Sequence, residues 1–380
     1  MTPPDPPLRV AVEATSVLGP RTGIGAMTAA LLERFGPDPT LDVTGVTISW
    51  RGRRDAAEAL PPGVRPRFQP FPANLAMRLW MRGVGPRLRG FDLVHGPNYV
   101  VPPSPGAVEL LSLHDFGPWH FPELVHEHAR RYPRLVDQAL DRGAHIHVDS
   151  DFVGAEARDI LGVPPERVHT VRLGFDGPQG PSGASETPDD GSRGRSVAGH
   201  DRYVLAVGTI EPRKDLPTLV AAMAQVEAAD PTLRLVVAGG DGWGTEAFEA
   251  ALATHGLTER VIRLGYVSDR DRVDLVAGAR CLAFPSIYEG FGLPPLEAMA
   301  LGTPVVTTTA GSLPEVCGDG ARFVAPGAPA ELAAAILAVD ADDDQRRTLI
   351  AAGRRNIERF SWDAMAADMA DLYRRLVAGP

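Results

Sequence analysis

The sequence predicts an α/β protein made of two doubly wound domains. Its 380 residues are enough for two such domains, and 44% hydrophobic with 23% charged residues is ordinary for a globular protein. Short apolar runs alternate with helical stretches in both halves, as parallel sheets require. Residues 176–200 are rich in Gly, Pro and Ser and predict a linker or mobile loop, which separates a first domain, 1–175, from a second, 201–362.

Composition excludes several classes of protein. The net charge of −10 argues against a general nucleic-acid binder, whose affinity depends on a basic face. Cys281 and Cys317 do not make a disulfide framework and are predicted to be small buried thiols. Residues 1–17 have neither a basic start nor a long apolar run, so we expect no signal peptide and a cytoplasmic protein.

The first strand is predicted at Leu8–Val12, after a proline-rich tail. Gly23 and Gly25 are predicted to precede the first helix, where glycines let a backbone approach a ligand closely. The dinucleotide-binding fingerprint is incomplete because its third glycine is missing, so we do not expect an NAD site. A weaker strand is predicted at residues 42–50.

An arginine-rich segment follows, with nine arginines and two acids in residues 51–90. Within it, residues 74–89 include a helical stretch with Arg78 and Arg82 on one face and apolar side chains such as Leu75 near another. The pattern fits a partly buried helix with a solvated basic face. It also fits a surface for an anionic membrane or for a phosphorylated acceptor.

Histidines stand at the ends of two further predicted strands, residues 91–95 and 109–114. The carboxyl ends of parallel strands are where α/β proteins bind ligands, so His114 is a candidate site residue. His145 and His147 share one face of the next predicted strand. No third ligand accompanies them, so we expect no metal site there.

The stretch Ser286–Thr308 contains two acids and, with the strand-like run 280–285 before it, predicts one strand–loop–helix–strand unit. Its double proline tolerates only a helix start, so a helix is predicted from about Pro294 to Leu301. Glu289 then lies on a glycine-rich loop and Glu297 in the first helical turn, both at the carboxyl end of the sheet. A glutamate in a first turn is also a common partner of the helix dipole, so Glu297 alone indicates no site.

The segment that begins at Glu289, E-G-F-G-L-P-P-L-E-A-M-A-L-G-T-P-V-V, resembles the E-x7-E signature of the retaining family 4 glycosyltransferases, and of their mannosyltransferases in particular. The resemblance implies the GT-B fold, in which two Rossmann-like doubly wound domains face each other across a cleft. It implies that a C-terminal helix, residues 363–380, crosses back to the first domain. It also implies that Glu289 lies against the donor sugar and that Glu297 holds the nucleotide ribose.

Other positions are predicted to bind the donor. The resemblance implies that His114, within an H-D-L-x-P-like region, reaches the donor sugar. It also implies that glycine-loop and helix-start backbone groups face the sugar and the diphosphate, while a tyrosine at a strand end is a candidate for the base pocket. The predicted donor-binding positions besides the two glutamates are Gly23, Gly25, Gly208, Tyr266, Phe291, Gly292 and Leu293.

Lys214 is the single lysine of a chain that has 37 arginines. With Arg213 it lies between a predicted strand, Tyr203–Val207, and a predicted helix, Leu216–Ala228. A compact ammonium beside a planar guanidinium suits a diphosphate. The resemblance agrees, because the family has an R-K-N-like pair in this loop; here Asp215 replaces the asparagine and is predicted to cap the helix.

The resemblance implies a retaining hexosyltransferase that uses a nucleoside-diphosphate sugar, with GDP-mannose as the first candidate. The acceptor would be a saccharide, a lipid-linked saccharide or a small molecule. Arg213, Lys214 and the helix N-terminus would neutralise the leaving diphosphate, so we expect no metal and no other cofactor. Asp149-Ser-Asp151 has the spacing of a metal pair but is predicted to be a helix cap.

Rival functions stay open at this point. A nucleotide-sugar epimerase would share the architecture, and a non-catalytic sugar-nucleotide-binding subunit would share the donor site. A glycosidase would also use two carboxylates but would not need the Arg213-Lys214 loop. If residues 74–89 contact lipid, the protein would be peripheral at the inner face of the membrane.

Overall fold

The structure is a computed structural model that describes residues 6–18, 23–50, 58–177 and 191–379. The chain forms two compact units. The first contains the described residues up to Gly174 together with those from Phe360 onward, and the second spans Phe175–Arg359. Part of the predicted linker, residues 178–190, and part of the arginine-rich segment, residues 51–57, lie outside the described residues.

The first unit is built on a parallel sheet, for which the described residues supply seven strands in the order β3-β2-β1-β4-β5-β6-β7. The chain reverses its direction of travel across the sheet between β1 and β4, which is where open α/β sheets bind ligands. The strands are β1 Leu8–Glu13, β2 Leu41–Ile48, β3 Arg65–Gln69, β4 Leu93–Gly96, β5 Val108–Leu113, β6 His145–Val148 and β7 Val168–Thr170.

Helices cover this sheet. Its α-helices are Gly23–Phe35, Ala73–Trp80, Gly117–His120, Tyr132–Asp141, Asp151–Leu161 and Trp362–Ala378, with short 3-10 turns at Thr15–Val17, Ala129–Arg131 and Pro165–Arg167. Ser361 begins the last helix by accepting hydrogen bonds from the backbone N–H groups of Asp363 and Ala364. The same helix packs on the first one, where the rings of Phe35 and Tyr373 lie 5.5 Å apart.

The second unit repeats the plan with a parallel sheet, here of six described strands in the order β10-β9-β8-β11-β12-β13. Its switch point lies between β8 and β11. The strands are β8 Tyr203–Val207, β9 Arg234–Ala238, β10 Val261–Gly265, β11 Cys281–Phe284, β12 Val305–Thr308 and β13 Ala321–Val324. The helices are Ser192–Ala198, Leu216–Ala229, Thr245–Thr254, Asp269–Gly278, Leu293–Ala300, Leu313–Cys317, Pro329–Ala341 and Asp343–Ile357, with 3-10 turns at Pro212–Lys214 and Gly318–Gly320.

The two cysteines are buried free thiols, as predicted. Cys281 lies in the core that the central strands share with the helices Leu216–Ala229 and Pro329–Ala341. Burial raises the pKa of Cys281 and of Cys317 to about 12, so both thiols stay protonated and inert at neutral pH.

The predicted linker is wrong at its C-terminal end, because the helix Ser192–Ala198 occupies it and packs on the helix Asp269–Gly278. A Cβ on Gly194 would lie 1.9 Å from the carbonyl oxygen of Asp274, so only glycine allows this close approach. The buried face of the helix consists of Gly194 and Ala198. A face without large apolar side chains has no visible hydrophobic period, which is why the sequence favoured a loop.

Two predicted helix starts are also wrong. The first helix begins at Gly23, so Gly23 and Gly25 are its first and third residues and do not precede it. The helix Leu293–Ala300 starts one residue earlier than expected, which makes Glu297 its fifth residue and places it beyond the first turn. Gly23 and Leu293 enter their helices at positions that the pattern had assigned to the preceding loops, a difference of the size usual for helix ends.

In the helix Ala73–Trp80, which lies in the arginine-rich segment, the exposed and buried faces differ from those predicted. Leu75 is 43% exposed and lies on the same side of the helix Ala73–Trp80 as Arg78, three residues later, and Arg82 is exposed beyond the end of the helix. The buried side is formed by Ala76 and Trp80. Within the described ranges, no helix is both long and apolar enough to span a membrane.

Candidate functional site

Two loops meet at the switch point of the second sheet. The loop after β8 carries Arg213 and Lys214, and the loop after the neighbouring strand β11 carries Glu289. A backbone hydrogen bond of 2.9 Å from the N–H of Ile287 to the carbonyl of Arg213 joins the two loops. The structure therefore brings together three of the predicted catalytic residues at the carboxyl edge of this sheet.

Glu289 is 8% exposed, and both of its carboxylate oxygens have partners. Its Oε1 accepts a hydrogen bond of 2.9 Å from the hydroxyl of Ser286, and its Oε2 is paired with the guanidinium of Arg213. Arg213 also donates to the carbonyl of Tyr288 and to the carboxylate of Glu211, each at 2.9 Å. A carboxylate held at both oxygens has one fixed orientation.

The backbone of Glu289 is held from a second side by the segment after β12. Ser312 donates from its backbone N–H to the carbonyl of Glu289 at 2.9 Å, and from its hydroxyl to the carbonyl of Phe291 at 3.0 Å. Gly311 precedes it with φ +60, and a Cβ there would lie 2.2 Å from the Glu289 carbonyl oxygen. The glycine-rich loop is therefore fixed by contacts on both flanks.

Lys214 lies over the start of this loop. Its Nζ is 6.0 Å from the ring centroid of Phe284 and 3.5 Å from the carbonyl of Val207, so its hydrogen bonding within the described chain is weak. Burial lowers the pKa of Lys214, and Arg213 acts in the same direction, although Glu289 and Glu211 oppose both. An ammonium that is desolvated and weakly bonded favours an anionic ligand.

The helix that follows Lys214 starts at Leu216, and its N-cap is Asp215, as predicted. Asp215 adopts a left-handed conformation with φ +46 and accepts from the backbone N–H of Thr218. Replacing the family's asparagine by aspartate therefore keeps a capping side chain.

Glu297 lies on the helix Leu293–Ala300, whose start is set by Gly292 at φ +109 and by the two prolines that follow Leu293. Its carboxylate is paired with Arg272 on the helix Asp269–Gly278. Burial raises the pKa of Glu297, and Arg272 opposes that shift. Phe291 is 6% exposed, so its ring is buried beneath the loop.

Gly208 belongs with this cluster, because it follows β8 directly and a Cβ on it would lie 1.9 Å from Nζ of Lys214. The remaining predicted positions are placed apart from the cluster. Tyr266 follows the edge strand β10 and is 83% exposed, and nothing within the described residues joins it to Glu289 or Lys214. Gly23, Gly25 and His114 belong to the first unit.

His114 follows β5, and both of its ring nitrogens have partners. Nδ1 lies 2.5 Å from Oδ2 of Asp149, and Nε2 lies 2.7 Å from the carbonyl oxygen of Pro97. Burial lowers the pKa of His114, but Asp149, the Pro97 carbonyl and Asp115 outweigh it, so the pKa lies above its ordinary value. The ring is fixed at the carboxyl edge of the first sheet, and Tyr99 packs edge-on against it at 5.8 Å.

Sequence reasoning missed the partners of His114. Asp149 was assigned only to a helix cap; Ser150 does cap the helix Asp151–Leu161, but Asp149 itself contacts the histidine. The sequence does contain a signal for this contact, because Asp149 directly follows β6 and β6 is the neighbour of β5, which His114 follows. Tyr99 was missed as well; it adopts φ +54 and stacks on Tyr132 at 4.7 Å.

Comparison with known proteins identifies the family. The chain is 32% identical over 288 residues to the O-antigen chain mannosyltransferase B of Escherichia coli, a match covering 75% of this chain and 74% of that protein. It is 35% identical over 232 residues to the MMP alpha-(1->4)-mannosyltransferase of Mycolicibacterium hassiacum, covering 59% and 53%. A sequence profile of the family described as "Glycosyl transferases group 1" matches residues 192–356.

The fold agrees with these similarities. The sucrose-phosphate synthase from Thermosynechococcus elongatus superposes with a TM-score of 0.74 at 23% identity, covering 98% of this chain and 99% of that one, which shows the fold alone. The two parallel α/β units therefore define the GT-B class of glycosyltransferases. The chain belongs to the group 1 glycosyl transferases, of the family 4 type, so the family resemblance of the Glu289 segment is confirmed. The comparisons give no support to the epimerase or to the non-catalytic subunit.

Proposed function

We propose that the protein is a retaining, metal-independent hexosyltransferase that uses a nucleoside-diphosphate sugar, with GDP-mannose as the first candidate donor. The acceptor is a saccharide, a lipid-linked saccharide or a small molecule. One observation carries the proposal: Arg213, Lys214 and Glu289 meet at the switch point of the second sheet. The two mannosyltransferase relatives support mannose as the sugar.

The positive charges at the switch point of the second sheet would stabilise a diphosphate leaving group. Breaking the bond between sugar and diphosphate leaves a nucleotide with extra negative charge, which fixed cations stabilise best when they are poorly solvated. Arg213 supplies a guanidinium that Glu289 and Glu211 hold in place, and Lys214 supplies a partly desolvated ammonium. The positive N-terminal end of the helix Leu293–Ala300 adds to this field, although Pro294 and Pro295 have no N–H group to donate. These groups supply the positive charge for which many transferases use a divalent ion.

Glu289 is proposed to position the sugar. Both of its carboxylate oxygens are engaged, by Ser286 and by Arg213, which supports an orienting role over attack on the anomeric carbon. The acceptor would then be deprotonated by the leaving phosphate on the same face of the sugar, and configuration would be retained. Proton NMR of the product measures this directly, and an inverted anomeric centre would overturn the retaining assignment.

Donor identity is tested by thermal-shift screening against GDP, UDP, ADP and dTDP sugars. We expect stabilisation by one nucleotide family in the wild-type protein and its loss in Lys214→Ala. Arg322→Ala is the matched control, because Arg322 is an exposed cation on β13. A shift that survives in Lys214→Ala would refute the diphosphate role of this lysine, and abolition of transfer by EDTA would refute metal independence.

A peripheral contact with anionic membranes through residues 74–89 is proposed as well. Leu75 and Val84 are 43% and 53% exposed, and Arg78 and Arg82 are exposed beside them. Apolar side chains among arginines suit an interface that holds both acyl chains and phosphates. The test is flotation with phosphatidylserine vesicles; equal flotation with neutral vesicles, or none with either, would overturn the idea.

A further inference from the structure

The hydrogen-bond partners of His114 define its protonation state. The Pro97 carbonyl can only accept, so Nε2, at 2.7 Å, must carry a proton. At Nδ1 the partner is the carboxyl group of Asp149 at 2.5 Å. A carboxyl group has an ordinary pKa of about 3.9 and an imidazole of about 6.5, so the shared proton belongs on the ring. The contact with the Pro97 carbonyl and the greater basicity of the ring together favour an imidazolium.

Asp149 depends on His114 in turn. The carboxylate is 1% exposed, and its second oxygen, Oδ1, is buried without a hydrogen-bond partner in the described chain. A second histidine, His147, lies further from this oxygen, with its Nε2 3.8 Å away from Oδ1. That nitrogen instead donates to the carbonyl of Val171 at 2.9 Å. His114 is thus the group that compensates the carboxylate.

A buried hydrogen-bond chain keeps His147 neutral. Because its Nε2 donates to Val171, its Nδ1 is free to accept from the Ser112 hydroxyl at 2.8 Å. Ser112 in turn accepts from Nε2 of His95 at 2.8 Å, and Nδ1 of His95 accepts from the hydroxyl of Tyr373 at 2.6 Å. Each donor has one acceptor, so the chain is complete with both rings neutral. Burial lowers the pKa of His95 and of His147, in agreement.

We propose that Asp149 is a positioning residue that holds His114 in one orientation as a doubly protonated imidazolium. Because both ring N–H groups donate to Asp149 and Pro97, His114 does not act as a proton acceptor, and it contacts its ligand as one member of an imidazolium–carboxylate pair that is neutral overall. The identity of the ligand as the donor sugar rests on the proposed function. The charge state of the ring is independent of that function. The ionisable groups around the ring are Asp115 after β5, Asp149 and His147 on the β6 side, and His95 on β4.

The test is nitrogen-15 NMR of histidine side chains in the full-length protein from pH 6 to 9. Comparison with His114→Gln assigns the His114 signals. We expect both ring nitrogens of wild-type His114 to stay protonated at pH 7.5, and Asp149→Asn to lose the second proton at a lower pH than the wild type. Asp151→Asn is the matched control, because Asp151 is exposed and pairs with Arg172.

Activity supplies a second readout. In Asp149→Asn, kcat/KM for sugar transfer is expected to fall relative to wild type as pH rises past the new midpoint, whereas Asp151→Asn follows the wild type. An unprotonated ring nitrogen in wild-type His114 at pH 7.5 would overturn the proposal, and this result does not depend on the stability of any variant. An unchanged His114 titration in Asp149→Asn would also overturn it. A protein that transfers no sugar but keeps the imidazolium would refute the proposed function and support the charge state.

Discussion

The ammonium of Lys214 lies directly over Gly208, where a Cβ would stand 1.9 Å from its Nζ. Gly208 also has φ +116, a conformation that other residues rarely adopt. The residue that follows β8 therefore provides both the turn and the space for the single lysine of the chain. The position of the proposed diphosphate-binding charge depends on a glycine six residues earlier.

Gly208→Ala is predicted to weaken nucleotide binding. The new methyl group would displace the flexible end of Lys214, and losing a charged hydrogen bond costs about 1.5–3 kcal/mol, or roughly tenfold to a hundredfold in affinity. Isothermal titration calorimetry with the preferred nucleotide measures the loss. Gly143→Ala is the control for backbone strain, since Gly143 has φ +96 and open space around it. Equal affinity in the two variants would contradict the prediction.

Much of the second unit could be predicted from sequence because its motif is local. The strand Val305–Thr308 is where it was predicted, and Asp215 caps its helix. Glycines, prolines and apolar runs set such elements within a few residues, so a short window is sufficient. The pairing of Arg213 with Glu289 needs the strand order, in which β8 and β11 are neighbours although 76 residues separate the two side chains.

The sites in the first unit were harder to predict because they depend on contacts between distant segments. Asp149 faces His114 only because β5 and β6 pair in register. Tyr373 reaches His95 from the last helix, 278 residues along the chain. A buried polar chain of this kind leaves no period in the sequence, because its members look like isolated histidines and a serine.

Substitutions of the two signature glutamates, Glu289 and Glu297, are predicted to impair different steps. Glu289→Gln should lower kcat by about a hundredfold or more, as expected for a group that acts in the transition state. Nucleotide affinity should not fall, because the change releases Arg213 from its carboxylate partner. Glu297→Gln should instead weaken nucleotide binding, since its proposed partner is the ribose. Steady-state kinetics and calorimetry on both variants separate the two roles.

One result would exclude this division of roles. If Glu289→Gln lost nucleotide affinity as strongly as Glu297→Gln, the carboxylate of Glu289 would be structural for the whole loop. Thermal unfolding of the two variants checks for such a loss of fold.

Arg272 is predicted to set the pH range of nucleotide binding. Burial raises the pKa of Glu297, and Arg272 opposes that rise. Removing the guanidinium in Arg272→Ala raises the pKa further, so Glu297 takes up a proton at a higher pH than in the wild type. Affinity for the nucleotide should therefore decline at a higher pH as the solution is acidified. Titrations between pH 5.5 and 8 test this, with Arg270→Ala on the same helix as control; superimposable profiles would refute it.

Acid is predicted to destabilise the first unit through His169. His169 lies on strand β7, and its Nε2 is 3.1 Å from Nδ1 of His145. Burial lowers the pKa of His169 to about 4, and His145, Arg375 and His147 act in the same direction. An unfolded histidine titrates near 6.5, so between about 6.5 and 4 the unfolded chain binds more protons than the folded one. The contribution of His169 to the free energy of unfolding is therefore present above that pH range and is lost as the pH falls through it.

His169→Gln cannot take up this proton. The melting temperature of the wild type should therefore fall more steeply than that of His169→Gln between pH 6.5 and 4.5, by about 2–4 °C for each kcal/mol lost. His95, His145 and His147, whose pKa values are also lowered, remain in both proteins, so the difference reports the loss of His169 together with its contact to His145. His114 acts in the opposite sense, because its raised pKa stabilises the fold at low pH. His128→Gln, at an exposed histidine of the same unit, should follow the wild type. Parallel curves for wild type and His169→Gln would show that the proton goes elsewhere.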